Sequence, residues 1–322
     1  MPSLKALKIS SMPNLLTITF SPCMDKSVSV NGLLPEKKMH CTTPIFAPGG
    51  GGINIARAIK KLGHPATAIF PVGGYTGQKF VQLLKEEGVD TIGIESRNEM
   101  RENLDVLDAS TNQQYRFVMP AVDLLHNEWK DLLEAIRNHE TLKYIIVSGS
   151  MPRGFPEDIF QLISTIAKEK NIRLVVDTSG EALLQVKDCG VFLIKPNLAE
   201  LSLLAGRKEI HLADIEQVAR EVIAKGYAEI VVVSIGATGA MLISKDGVFR
   251  AIPPVIKPKS TVGAGDSLVA GLVISLSEGR SLADSLRFGV SCGTAACLQP
   301  GTTLFTRADV DQIYLLTRVF NS

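Results

Sequence analysis

Short apolar runs punctuate the chain at residues 15–20, 68–72, 144–147, 174–176, 191–194 and 230–233. They are rich in β-branched residues and do not alternate with polar ones, the pattern of strands covered on both faces. Amphipathic stretches of helical length accompany them, at 53–62, 77–87, 157–170 and 215–225. Strand alternating with helix predicts an α/β fold, a mostly parallel central sheet with helices on both sides. From residue 263 onward the pattern changes to helices in succession, at 263–277, 282–297 and 307–318. These are expected to pack beside the sheet and close one end of a site.

Two segments break the rhythm. Residues 26–46 and 103–119 read as short strands separated by turns, and Ser110-Thr111-Asn112 divides two such runs as a hairpin turn would. They form either a small sheet projecting from the main body or edge strands of the main sheet. No repeat, low-complexity tract or linker interrupts the chain, so it reads as one domain over residues 1–322.

Composition narrows the class. A chain of 322 residues buries a substantial core without staples. A net charge of +1 suggests neither a nucleic-acid footprint nor a polybasic membrane anchor. Cys23, Cys41, Cys189, Cys292 and Cys297 form no CxxC pair and no zinc-binding cluster, so they read as free thiols in a reducing compartment. Cys292 and Cys297 fall in an apolar helical stretch and read as small core residues. Lys5 and Lys8 precede no apolar signal region, and the apolar stretch 267–277 is too short to span a membrane. The expected location is the cytoplasm.

Two glycine segments carry candidate chemistry. In Ser260-Thr261-Val262-Gly263-Ala264-Gly265-Asp266-Ser267, glycines open a long helix of small and apolar residues. Without side chains at Gly263 and Gly265, backbone N–H groups can approach an anion, and a helix N-terminus adds free donors and a positive dipole end. That suits a phosphoryl group gathering charge during transfer, with Asp266 at its edge to accept a proton from an attacking hydroxyl. The same residues also fit a tight turn whose Asp caps the helix. No Gly-Lys-Ser/Thr follows, so this is not a Walker loop.

The second segment is Pro48-Gly49-Gly50-Gly51-Gly52-Ile53-Asn54. Four glycines are costly in chain entropy, and close approach of backbone to a ligand is the expected reason. Asn54 near the helix start is placed to bond sugar hydroxyls. A flexible entry into a helix is the plainer alternative.

Together these segments resemble the two signatures of the ribokinase-like carbohydrate kinase family, also called the PfkB family, over nearly the whole chain from Leu15 onward. Phe20-Ser21-Pro22-Cys23-Met24-Asp25, Gln114-Tyr115-Arg116-Phe117-Val118-Met119-Pro120, Val147-Ser148-Gly149-Ser150-Met151-Pro152 and Lys195-Pro196-Asn197-Leu198-Ala199-Glu200 resemble its phosphofructokinase branch. The resemblance implies a three-layer α/β/α core, a β-sheet lid built from 26–46 and 103–119, and a homodimer clasped through the lids. It favours the projecting-sheet reading.

By that resemblance, Asp266 is the general base acting on the 1-hydroxyl of fructose 6-phosphate, with Gly263, Ala264 and Gly265 as the anion hole. Asp25, Gly49, Gly50, Asn54 and Ser150 match sugar contacts. Lys38, Arg101 and Arg116 match the basic residues around the sugar's phosphate, where an arginine fork suits two oxygens at once. Arg116 reads as sitting inside an apolar strand-like run. Lys195, Asn197, Ser234 and Gly236 match the ATP phosphate side, and Thr294 a position near adenine. Asn197 and Glu200 match residues that organise magnesium, although their spacing equally makes a helix capping box. Ser260, Val262, Ala296, Gln299 and Gly301 match a loop region holding a monovalent cation, potassium, by backbone oxygens.

The chain departs from the branch in places. Ala199 stands where relatives carry a lysine reaching nucleotide phosphates, and His40 where relatives carry an arginine. An extension of no clear role precedes the first strand. Fructose 1-phosphate or tagatose 6-phosphate remain alternative acceptors, and a catalytically idle sugar- or nucleotide-binding regulator is the alternative of another class.

Overall fold

A computed structural model of the chain describes residues 14–321, and the N-terminal extension lies outside the described residues. The chain enters through β1 (Asn14–Ile18), β2 (Cys23–Val30) and β3 (Ile45–Gly49), then turns into α1 (Gly51–Lys61). Next come β4 (Ala66–Val72), α2 (Gly74–Glu86), β5 (Asp90–Glu95), β6 (Glu102–Asp108), β7 (Gln113–Phe117) and α3 (His126–Asn138). The βα alternation resumes with β8 (Leu142–Ser148), α4 (Ile159–Glu169), β9 (Arg173–Asp177), α5 (Glu181–Leu184), β10 (Leu193–Ile194), α6 (Leu198–Ala205) and α7 (Ile215–Ala224). The chain closes with β11 (Ile230–Ser234), β12 (Ala240–Ser244), β13 (Gly247–Ile252), α8 (Ala264–Ser277), α9 (Leu282–Ala296), α10 (Arg307–Leu316) and β14 (Arg318–Asn321).

The main sheet runs β14-β13-β12-β11-β10-β9-β8-β1-β4-β5. From β11 to β5 every pairing is parallel, whereas β12, β13 and β14 extend it antiparallel. The continuous apolar runs are explained by two covered faces. Leu15, Tyr144, Ile146, Val175 and Val232 pack with α1, α2, α8, α9 and α10, while Leu16, Ile145, Val147, Val176 and Val231 pack with α3 to α7. The result is the expected α/β/α sandwich, because adjacent residues of a strand face opposite layers.

The two irregular segments do not join the main sheet. β3, β2, β6 and β7 pair in that order as a separate four-stranded sheet, with Asp25 opposite Asn103 in the β2–β6 register and Asp105 opposite Arg116 in β6–β7. The edges of the main sheet are β5 and β14 instead.

Some expectations needed correction. The run 191–194 pairs as a strand only over Leu193–Ile194, after which Pro196 lacks an N–H to continue the ladder. The helical reading of the last third omitted β14, which forms after α10 by pairing with β13. Cys292 is fully buried as expected, but Cys297 is half-buried at the C-cap of α9. Among the described residues no helix is long and apolar enough to cross a membrane.

Candidate active site

The strand order turns back at β1, with β4 and β5 on one side and β8 on the other. Ligands of open α/β sheets bind beyond the strand C-termini at such a reversal. The glycine segment preceding α1 sits there, and contacts within the protein explain its composition. A Cβ on Gly49 would strike the Asp25 carboxylate, and one on Gly51 would strike Ser148 and lie 2.7 Å from Gly149 N. One on Gly52 would lie 2.6 Å from Ile18 O. Contacts within the protein are thus by themselves reason enough for these glycines: they let α1 press onto the ends of β1 and β8. Gly52→Ala is expected to cost about 1–3 kcal/mol by overpacking, read from urea unfolding. A stability equal to the parent's would mean that the segment yields freely.

That packing sets Asn54, in the first turns of α1, against Asp266, in the first turn of α8. Asn54 Nδ2 donates to Asp266 Oδ2 at 2.9 Å, joining residues 212 apart in sequence. Gly263 caps α8 in the left-handed region at φ 74°, where a Cβ would also meet Leu304 at 2.6 Å. Among the described residues, nothing accepts from the N–H groups of Gly265 and Asp266, so the helix presents free donors beside the carboxylate. Burial pushes the Asp266 carboxyl up to about 7, helped by the nearby Asp177 charge and opposed by the Asn54 hydrogen bond and Lys195. Asp266 is thus a half-buried carboxyl in the first turn of α8, held well above the usual carboxylate range.

Lys195 follows β10 and ion-pairs with Asp177 at the end of β9, at 3.2 Å. Burial alone would lower the Lys195 ammonium, but Asp177, and then Asp266 and Glu200, outweigh it and hold the group cationic. An added Cβ on Gly265 would meet Lys195 Nζ at 3.4 Å, so the ammonium lies against the glycine turn. Asn197 and Glu200 do form a capping box: Asn197 Oδ1 accepts from Glu200 N at 2.9 Å, and Glu200 Oε2 from Asn197 N at 2.8 Å. Burial raises the Glu200 carboxyl.

A cleft of about 340 Å³ opens alongside, lined by Ser234, Gly236, Thr261, Gly265, Thr294 and Cys297, with Val255 and Leu268 in its apolar lining. Of the residues expected on the nucleotide side, Ser234, Gly236 and Thr294 thereby share one cavity with the glycine turn, whereas Lys195 and Asn197 do not line it. Cys297 belongs to this wall rather than to the core. Of the two stretches expected to hold a monovalent cation, the one is tied beside the other where Lys259 N, next to Ser260, donates to Cys297 O, next to Ala296, at 2.8 Å. Gln299 is tied down by Asp309 at 2.8 Å.

The small sheet supplies the remaining candidates. Asp25 is buried and accepts from Asn103 Nδ2 at 2.9 Å and from the Cys23 thiol at 3.4 Å. Burial, reinforced by Asp25, pushes that thiol up to about 12, so it stays protonated. Arg101 donates to Ser21 O, Pro22 O and Met119 O, joining the start of the small sheet to its end. Arg116 was expected within an apolar run, yet every residue of β7 is exposed, and its guanidinium pairs with Asp105 at 2.9 Å through Nε alone. The aromatic composition of β7 reflects an uncovered sheet face rather than a core. Lys38 and His40 lie on the exposed loop between β2 and β3, and Ser150 is exposed just after β8. Asp177, Asn103 and Arg57 went unnoticed in the sequence, because no local motif marks them.

The pfkB family carbohydrate kinase profile matches residues 16–308. ATP-dependent 6-phosphofructokinase isozyme 2 of Escherichia coli (strain K12) is 42% identical over 305 residues, spanning 94% of this chain and 98% of the relative. The structure of phosphofructokinase-2 from Escherichia coli in complex with potassium superposes with a TM-score of 0.90 at 40% identity, covering 94% of this chain and 99% of that one. That enzyme in complex with fructose-6-phosphate gives 0.88 at 39% identity, with the same coverage.

Proposed function

Because this chain belongs to the pfkB family of carbohydrate kinases, we propose that it transfers the γ-phosphoryl group of ATP to the 1-hydroxyl of fructose 6-phosphate, giving fructose 1,6-bisphosphate and ADP. The observation that carries this reading is Asp266: a half-buried carboxyl in the first turn of α8, bonded to Asn54 and next in sequence to Gly265, which lines the neighbouring cleft. The sugar lies between the two sheets, its hydroxyls on Asp25 and Asn54. Lys38, Arg101 and Arg116 hold its phosphate, and the two Nη groups that Arg116 leaves over from Asp105 form the fork. Asp266 takes the hydroxyl proton as oxygen attacks in line. The Gly265 and Asp266 N–H groups and the Lys195 ammonium meet the charge that builds on the phosphoryl oxygens.

Magnesium fits the donors present if it keeps most of its waters, since Glu200 Oε1 has no partner among the described residues and no group of three or more carboxylate, His or Cys side chains forms a cage there. Bound with ATP, it would neutralise phosphate charge. Potassium is assigned to the backbone oxygens of the Ser260–Val262 and Ala296–Gly301 turns, as the potassium complex of the Escherichia coli enzyme suggests.

The small sheet serves as a lid that excludes water. It exposes Tyr115 and Phe117 on one face, followed by Val118 and Met119, an apolar surface that a second copy of the chain covers in a homodimer. Free cysteines and a buried, protonated Cys23 suit the cytoplasm.

A coupled ADP-release assay across fructose 6-phosphate, fructose 1-phosphate and tagatose 6-phosphate tests the assignment. The highest kcat/KM is expected with fructose 6-phosphate. A preference for either other ester would reassign the acceptor, and MgATP binding without sugar-dependent ADP release would favour the regulator.

A further inference from the structure

We propose that Arg57, clamped by Glu87, is the positioning residue that fixes which end of the Asn54 amide faces Asp266. The inference rests on the kinase reading of Asp266 given above. Arg57 lies on α1 and is almost fully buried, at 4% exposure, far from where a cationic side chain normally sits. Its Nε and Nη2 donate to both carboxylate oxygens of Glu87, each at 2.7 Å, in a bidentate pair. Its Nη1 donates to Pro48 O and Thr302 O at 3.1 Å, and reaches Asn54 Oδ1 at 3.4 Å.

A guanidinium has only donors. The Asn54 amide therefore turns its oxygen toward Arg57, and its NH2 group is left to donate to Asp266. The flipped amide would set oxygen against carboxylate and NH2 against guanidinium, both repulsive. The same Nη1 also ties together Pro48, which leads into the glycine segment, and Thr302, whose loop carries Leu304 onto Gly263. One buried cation thus registers the sugar-side motif against the phosphoryl-side motif. The charged groups facing Asp266 are Asp177 at the end of β9 and Lys195 after β10, and Arg57 substitutions leave both in place.

The test compares the parent with Arg57→Lys and with Glu87→Gln, whose side chain is one-third exposed and isosteric. A lysine cannot make the bidentate pair and reach Asn54 together. Freed to rotate, the amide bonds Asp266 less often. KM for the sugar phosphate is expected to rise about tenfold, and the acid limb of kcat/KM to move up by about half a unit. Glu87→Gln should shift both in the same direction by less. A drop in kcat by one factor at every pH, with KM and the limb unmoved, would leave Arg57 a purely structural residue. Should Arg57→Lys not fold, Glu87→Gln decides alone by the same criteria. Should the parent release no ADP with any sugar phosphate, the kinase reading falls separately. The inference is then read from the Asp266 carboxyl resonance in carbon-13 NMR, assigned with Asp266→Asn: a higher titration midpoint in the variants upholds it, and an unchanged midpoint overturns it.

Discussion

Asp266→Asn is expected to fold, to bind both substrates, and to turn over about 10²–10⁴-fold more slowly. The amide has the shape of the carboxylate but cannot accept the hydroxyl proton, while the free N–H groups of α8, Lys195 and the cleft are untouched. Stability should move the other way. Because burial raises the folded carboxyl to about 7 from an ordinary 3.8, its ionisation opposes folding. The cost is absent below the unfolded value, grows as pH rises between the two, and is complete above about 7, where it reaches roughly 4 kcal/mol. The variant should therefore unfold at higher temperature than the parent at alkaline pH, with the difference vanishing in acid. In the parent, kcat/KM should fall about tenfold per pH unit below about 7, as the base becomes protonated. Near-normal turnover by the asparagine variant would remove Asp266 from the chemistry, and a flat pH profile would contradict its titration.

Lys195→Met is expected to lose both stability and activity. Asp177 and Lys195 are nearly buried, with side chains 13% and 9% exposed, so removing the cation strands a carboxylate. Breaking such a pair from one side costs about 3–5 kcal/mol. It also removes the positive charge lying against Gly265, where phosphoryl charge would collect, for a further loss of about 10²-fold in kcat. The double variant Lys195→Met/Asp177→Asn separates the two effects. With no charge left to strand, most of the unfolding free energy should return, while kcat stays low. A double variant that regained turnover would show that Lys195 serves the fold alone. A single variant as stable as the parent would show that Asp177 can neutralise at little cost.

Much of this architecture was legible because it is written in local pattern. Continuous β-branched runs such as 230–233 suit strands with two covered faces, and the glycines around Asp266 suit a helix that begins with free donors. The resemblance to the family signatures then marked Asp25, Asn54, Arg101, Asn197 and Glu200 as candidates for one site. Other features had no local mark. Residues 26–46 and 103–119 suited an edge of the main sheet or a small separate sheet equally, because strand pattern does not say which strand is the neighbour; the parallel pairing of β2 with β6 makes them a separate sheet. The tyrosine and phenylalanine flanking Arg116 looked like core, yet every residue of β7 is exposed.

By itself, then, the sequence determined the alternation of elements, the two helix openings and the presence of a carboxylate in the first turn of α8, since each depends on residues close together in the chain. Tertiary structure alone decided that Asn54 meets Asp266, that Lys195 meets Asp177, and that Arg57 meets Glu87 and Thr302. Those are contacts between ordinary polar residues on distant elements. Their strength comes from the exclusion of water, which exists only once the layers have closed around them.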